Sequence, residues 1–582
     1  MPPEFRTQWL RAVAISGRHI ENYLSTYFSP NTHLLGEAVA LFFMGTICPE
    51  LSSSERWKKR GWEIVLQEAK RQVQADGFHF EQSTYYHVYA LDFFLHAGLL
   101  AAINDVPVPP EFDLTLQRML DALCILGRAG TPPRLGDDDA GRVFDPRRNR
   151  AEHMLDPLST GAVLFGRGDF KSVAGGLREE TLWLLGEQGV TVFDGLRATA
   201  PAEQSLALQT SGLYVMSNSG LGQQLVIDAG PQGSLRAGHG HADALSLLVS
   251  SEGTPLFIDP GTCGYVGPER DLFRGTCAHN TLVVDGVDQA EPQGPFAWKK
   301  LPSTKAEAWI SGHNFDLFVG SHDGYSRLEN PVIHRRWVFS LKSKFWLVRD
   351  MILGAGKHQL DLFWHLNPEL APRGDTADTF LDAGGRHVLR VLAAEGHGWS
   401  QEVRQAWWSP VYGRKEPANV LHFGTQATLP AEFVTLLEAS AGAKAEERRF
   451  TRLQQFSKLE GFSGYRYAIA EEEHCIFFTS GKAWTAGPWS SDAEFFYWHR
   501  SAEQARQVLI CCNATFVEAD GRRVLSCPRP VLRCEIIAAG EQIEVFSSDP
   551  DAIVSKDALA NPAAELEPVS TSHLPPSGRR GS

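Results

Sequence analysis

The hydrophobic period of this chain changes once, near Pro201, and that change limits what it can fold into. Before it, apolar residues recur at helical spacing: Trp9, Leu10, Val13, Ala14, Ile20 and Leu24, then Leu34, Leu35, Ala38, Leu41 and Phe42. Further periodic runs cover 57–73, 86–101, 114–126 and 177–185, with turn-forming stretches at 29–31, 76–77, 107–110 and 131–133 between them. Helices joined by short loops pack as hairpins. After Pro201 the apolar segments are short, alternating or β-branched: 211–218, 224–229, 246–250, 255–259, 280–285 and 306–311, then 332–341, 345–348, 359–365, 387–394 and 475–479. Strands in such number without helical patterns between them imply antiparallel sheets packed face to face. The expected fold class is therefore α+β and multidomain. A helical domain is expected over 1–200 and an antiparallel β-sandwich domain over 201–555, followed by a Pro-, Ser-, Gly- and Arg-rich tail over 556–582 expected to be disordered.

The formal charge of −14, from 55 basic and 69 acidic side chains, lacks the basic field of a nucleic-acid protein. A local basic cleft would still accept an acidic substrate. Nine cysteines, odd in number and irregular in spacing, read as reduced thiols rather than a disulfide framework. The first 25 residues carry no basic, then apolar, then small pattern, and no uninterrupted apolar run spans a bilayer. As written, the chain is expected to be soluble and cytoplasmic, without a membrane partner. A true N-terminus further upstream would make it periplasmic or secreted. The oligomeric state is left open.

The densest chemistry lies in 238–281. Residues 238–246 read Gly-His-Gly-His-Ala-Asp-Ala-Leu-Ser, 259–261 read Asp-Pro-Gly, and 273–281 read Phe-Arg-Gly-Thr-Cys-Ala-His-Asn-Thr. His241, Asp259 and His279 supply the three His and carboxylate ligands of an open zinc site if their segments are neighbours, with His239 left over for chemistry. Period-two alternation would put His239 and His241 on one side of a strand. Asp243 is placed to orient a ligating imidazole. Satisfied core or turn histidines are the plainer reading of the same residues.

The helical half carries polar groups of its own. Asn31-Thr32-His33 precedes a helix containing Glu37, where the positive dipole end suits an anion, although Asn31 is equally an ordinary N-cap. The loop 76–87 brings Tyr85, Tyr86, Glu81 and His87 to a helix start. The acidic loop 136–142 either is solvated turn chemistry or orients a neighbouring Arg or His. It lacks the regularly spaced oxygen ligands and terminal Glu of a calcium loop.

Taken together and in this order, the pieces at 31–33, 81–87, 238–246, 259–261 and 273–281 resemble the heparinase II/III family over most of residues 1–350. The resemblance implies an incomplete (α/α) toroid followed by antiparallel β-sandwich layers, and β-elimination of a uronate-containing polysaccharide. It implies Tyr86 as the catalytic tyrosine, with Tyr85 the alternative one register away. It implies His239 as catalytic, Tyr265 as a second active-site tyrosine, and His241, Asp259 and His279 as zinc ligands, the zinc being structural. Asn31 and His33 match the pair that neutralises the substrate carboxylate, with Thr32 where Asn is frequent. Glu81 and Arg274 complete the expected substrate-binding set. Relatives usually begin with a longer helical region, so the toroid is expected to be short at its N-terminal side.

Such chemistry needs donors that stabilise an enolate, a base at C5 and an acid at the C4 oxygen. Tyr86 acting as both, and His239 as base with Tyr86 as acid, both satisfy this. A toroid glycoside hydrolase using Glu37 and Glu81, and a non-catalytic polysaccharide-binding protein, are the alternatives.

Overall fold

The helical hairpins form because two glycines let helices touch. The computed structural model describes residues 2–143, 151–218, 222–374, 378–395, 398–439, 448–453, 461–501, 506–540 and 542–555. Its helical part runs through α1 (Pro3–Asn22), α2 (Thr32–Ile47), α3 (Ser54–Gln72), α4 (Thr84–Ile103) and α5 (Pro110–Gly127). It ends with α6 (Asp156–Phe165), α7 (Gly168–Ala174) and α8 (Glu179–Gly195). A Cβ on Gly45 would run into the backbone of Ser54 and Lys58, and one on Gly61 into that of Ala38 and Phe42. The antiparallel pair α2 and α3 is thereby drawn close, which sets the end of α3 beside the start of α2. Gln72 Nε2 donates to the Asn31 carbonyl at 2.9 Å there. Leu35, Phe42, Trp62, Val65, Leu91, Phe94, Leu120 and Leu158 fill the core of this layer.

By length and composition α4 is apolar enough to cross a membrane, although His87, Asp92 and His96 interrupt its apolar sequence. It is instead the central helix of this layer, with most of its side chains buried against its neighbours.

From Leu206 onward the described chain is strands and loops, broken only by short helical turns. A five-stranded meander (Leu206–Leu208, Leu213–Asn218, Gln223–Asp228, Leu247–Ser251, Thr254–Phe257) lies against the helices. Phe78, Leu126 and Leu135 pack there on Leu213, Val215, Val226 and Leu248. The meander and a four-stranded sheet cover one face of an eight-stranded sheet, and a seven-stranded sheet covers the other. A further five-stranded sheet closes the stack behind the seven-stranded one. The strand Val332–Leu341 sends apolar side chains to both of its faces. Val338 enters the core on one side and Phe339 the core on the other, as expected of a sheet covered on both faces. All nine cysteines are free thiols. The expected tail over 556–582 lies outside the described residues.

Candidate functional site

The site is assembled where three loops meet between the helices and the meander. The α4 entry is fixed by Ser83, whose Oγ caps Tyr86 N at 3.1 Å and donates to the Asp137 carbonyl at 2.6 Å. That bond docks the acidic loop 136–139 on the start of α4. The same loop pairs with the histidine loop, because Asp137 N donates to the His239 carbonyl at 2.9 Å. Gly240 lies between the two histidines because a Cβ there would strike the Gln232 carbonyl.

Asp137 is completely buried and receives both histidines. His239 Nδ1 donates to its Oδ2 at 3.0 Å and His241 Nε2 to its Oδ1 at 3.0 Å, while Arg270 grips both oxygens. Burial opposes the charge. The hydrogen bonds from His239 and His241 and the Arg270 guanidinium outweigh it and hold the carboxyl well below the usual carboxylate range. An ionised carboxylate only accepts, so each imidazole carries its proton on the bonded nitrogen. His239 Nε2 and His241 Nδ1 are left with lone pairs.

His239 stacks on Tyr86, ring centroids 3.8 Å apart and planes 20° from parallel. Burial disfavours its protonation, yet the Asp137 bond and the nearby Glu81 charge raise its pKa above the ordinary value. The Tyr86 hydroxyl lies 3.0 Å from that of Tyr265 and donates to Asp139 Oδ2 at 3.1 Å. Burial first and Asp139 second push its pKa well above that of free tyrosine, so it keeps its proton. Tyr265 is itself held by Tyr412 and Phe296, with the Arg270 guanidinium 5.2 Å from its ring centroid.

Across the gap stands the start of α2. Asn31 Oδ1 caps His33 N at 3.1 Å and its Nδ2 donates to Glu81 Oε2 at 3.1 Å. Thr32 gives Glu81 Oε1 two more bonds, from N at 3.1 Å and Oγ1 at 2.8 Å. That carboxylate reaches to 3.6 Å from His239 Nε2. His33 is exposed beside it, its Nδ1 3.2 Å from Asn31 Oδ1.

Behind His239, donor atoms of His241, Asp243, Asp259 and His279 all lie within 4.8 Å of one another, and all four residues are buried. His279 Nδ1 donates to Asp259 Oδ2 at 3.0 Å. His241 Nδ1 and His279 Nε2 are buried without a hydrogen-bond partner, which is costly for polar atoms unless a cation fills the gap. Burial and the neighbouring Asp228 carboxylate drive the Asp243 pKa well up, and Asp228 itself rises to about 6. Such a concentration of buried carboxylate is what a bound divalent ion would neutralise. The group fits a metal ion, and Asp243 belongs with the donors as well as Asp259.

Three expectations change. Residues 238–246 form a turn-rich loop rather than a strand, so His239 and His241 diverge: one faces Tyr86 and the other the metal group. Tyr85 lies in the helical core with Leu35, Val88 and Leu91, because neighbouring helix positions point about 100° apart. Arg274 is spent on Asp271 and the carbonyls of Gly294 and Pro295, with Trp298 under its guanidinium. Arg270, one helical turn earlier in α9 (Glu269–Arg274), is the arginine that reaches the site. Arg270 and Phe296 had no distinguishing sequence signal, and Asp139 was visible only as part of the acidic loop 136–142. Asp137 was visible only as one member of an acidic loop.

Two family models match the chain: "Heparinase II/III N-terminus" over residues 1–142 and "Heparinase II/III-like, C-terminal" over 200–446. A heparin-sulfate lyase of Pedobacter heparinus is 26% identical over 466 residues, covering 76% of this chain and 63% of that protein. One from Bacteroides stercoris is 25% identical, covering 71% and 57%. The chain thus spans less than two thirds of the length of these curated relatives. Among solved structures, the heparan sulfate lyase of Pedobacter heparinus superposes with a TM-score of 0.62 at 22% identity, over 82% of this chain and 70% of that one. A heparinase III structure superposes at 0.66 with 18% identity, over 82% and 71%. The likenesses to solved structures establish the helical-toroid and β-sandwich fold, and the two matching models, which together span most of the chain, settle the family. The chain belongs to the heparinase II/III family.

Proposed function

We propose that the protein is a polysaccharide lyase that cleaves a uronate-containing acidic polysaccharide by β-elimination, with heparan sulfate the first substrate to test. The observation that carries this reading is the stack of Tyr86 on His239, with the Tyr265 hydroxyl at 3.0 Å and Asp137 behind the imidazole. β-Elimination takes the proton from C5 of the uronate and expels the oxygen on C4. His239 Nε2, with its lone pair turned away from Asp137, takes the C5 proton. Tyr86 Oη, which Asp139 and burial keep protonated, gives its proton to the departing oxygen. Asn31 and His33 stand at the start of α2 to receive the substrate carboxylate and stabilise the enolate that grows beside it. Tyr265 orients the Tyr86 hydroxyl.

Zinc is the ion assigned to His241, Asp243, Asp259 and His279, where it would brace the loop that presents His239. The hydrolase alternative loses its carboxylate pair. Glu37 is tied up by Ser25 N and Oγ at 2.7 Å each, and Glu81 by Asn31 and Thr32.

The test is a panel of heparan sulfate, alginate, hyaluronan and chondroitin assayed for new ultraviolet absorbance from a C4–C5 double bond. Turnover of one of them, abolished in Tyr86→Phe and His239→Ala, is expected. Binding without any such absorbance would overturn the lyase reading in favour of a binding protein.

A further inference from the structure

We propose that Glu472, His474 and His499 form a second divalent-metal site, in the seven-stranded sheet and separate from the group around His241. The strand Glu472–Phe478 pairs with Phe495–Ser501 so that His474 stands directly opposite His499. Glu472 and His474, two residues apart, project from one face of their strand. The three donor atoms lie within 4.8 Å of one another. Glu472 Oε2 is 3.4 Å from His499 Nε2 and 3.6 Å from His474 Nε2. Those separations are long for hydrogen bonds. They match the ligand-to-ligand edge of a tetrahedron, about 3.4 Å for bonds of about 2.0–2.1 Å.

Both imidazole Nε2 atoms are buried with no hydrogen-bond partner, the signature seen at the first metal group. His474 is also supported from behind, its Nδ1 lying 2.8 Å from the Tyr497 hydroxyl, an arrangement that fixes a ligating ring. Lys344 Nζ sits 3.1 Å from Glu472 Oε2 and is half exposed. It supplies the positive charge the carboxylate needs while no ion is bound, and its flexible stem lets it leave for solvent. Two imidazoles and one carboxylate with an open position suit zinc or a similar late divalent metal. The site lies beyond the family-model matches, which end at residue 446. Its consequence is a clamp between two strands of this sheet.

The full-length chain, dialysed free of metal and titrated with cobalt(II) chloride, tests this. Glu472→Gln and His499→Ala should each bind one equivalent less than the wild type and lose one tetrahedral cobalt absorption, while the His241 group still loads. Glu472 is partly exposed at a strand start, so the folded state of Glu472→Gln, checked by circular dichroism, keeps the test decisive if His499→Ala does not fold. Unchanged cobalt stoichiometry in Glu472→Gln would overturn the proposal.

Discussion

Asp137 holds His239 by Nδ1 at 3.0 Å, and through its other oxygen it holds His241 by Nε2 at the same distance. One buried carboxylate therefore sets two tautomers. It leaves His239 Nε2 free on the edge of the ring that faces Glu81, with Tyr86 stacked over the ring's face, and turns a lone pair of His241 toward the metal group. The two halves of the site share a single anchor, which neither histidine reveals alone.

Asp137→Asn keeps the shape but removes the charge. Activity and metal affinity should each fall by about 10–100-fold, as for carboxylates that orient a ligating or catalytic histidine. His239 should also titrate lower, because Asp137 is what raises it against burial. The acid limb of the kcat/KM profile should then move to lower pH. A variant with lower activity but an unmoved limb would show that Asp137 acts only on folding.

Tyr85 and Tyr86 make a matched pair. Tyr86→Phe removes the proposed acid and should cost about 10²–10⁴-fold in kcat with the melting temperature little changed. Tyr85→Phe leaves a ring in the helical core and should keep activity within a few-fold. Equal loss in both variants would contradict the assignment.

Much of this was legible in the sequence because periodicity and motif order survive without three dimensions. The helices around Phe42, Val65, Leu91 and Leu120 announced themselves by spacing, and the long strand Val332–Leu341 has the predicted limits. Helices α6, α7 and α9 did not, being short and carrying few periodic residues. Asp137 lies more than 100 positions from the histidines it binds. Its role rests on loop docking by Ser83 and Thr262, and no local pattern records that. His239 and His241 diverge because the backbone there turns, with positive φ at Leu235, Ala237 and Leu245. Alternation rules assume an extended strand.

The metal group should respond to its own ligands and not to the catalytic histidine. Chelation, or His279→Ala, should lower the melting temperature and the metal content together. His239→Ala should abolish activity with metal content unchanged. Loss of metal in His239→Ala would place that residue among the ligands.

Arg336 links the metal loops to the sheet beneath. Fully buried, it donates to the carbonyls of Leu245 at 2.6 Å and Asn280 at 2.8 Å and pairs with Asp350 at 2.7 Å. Leu245 follows the His241–Asp243 loop and Asn280 follows His279, so one guanidinium ties both ligand segments together. Arg336→Met leaves Asp350 buried with only His334, at a cost of about 3–5 kcal/mol. Thermal melting should show that loss, accompanied by weaker metal retention. Retention as in the wild type would confine Arg336 to folding.

The buried imidazoles outside the catalytic pair make the fold less stable as pH falls. Burial lowers His87 to about 4. Burial, reinforced by neighbouring positive charge, also holds His79 and His322 well below the ordinary value. The native state binds these protons more weakly than the unfolded chain, whose histidines titrate near pH 6.5. Their contribution is therefore complete above that pH and declines as pH falls toward the native values, by about 1.4 kcal/mol per pH unit for each group. Urea midpoints should drop between pH 7 and pH 5. His87→Gln keeps side-chain groups able to serve His79 N and the Met119 carbonyl but has no proton to gain. It should flatten part of that slope while lowering stability at pH 7. A slope identical to the wild type would mean that His87 is not among the groups that titrate on unfolding.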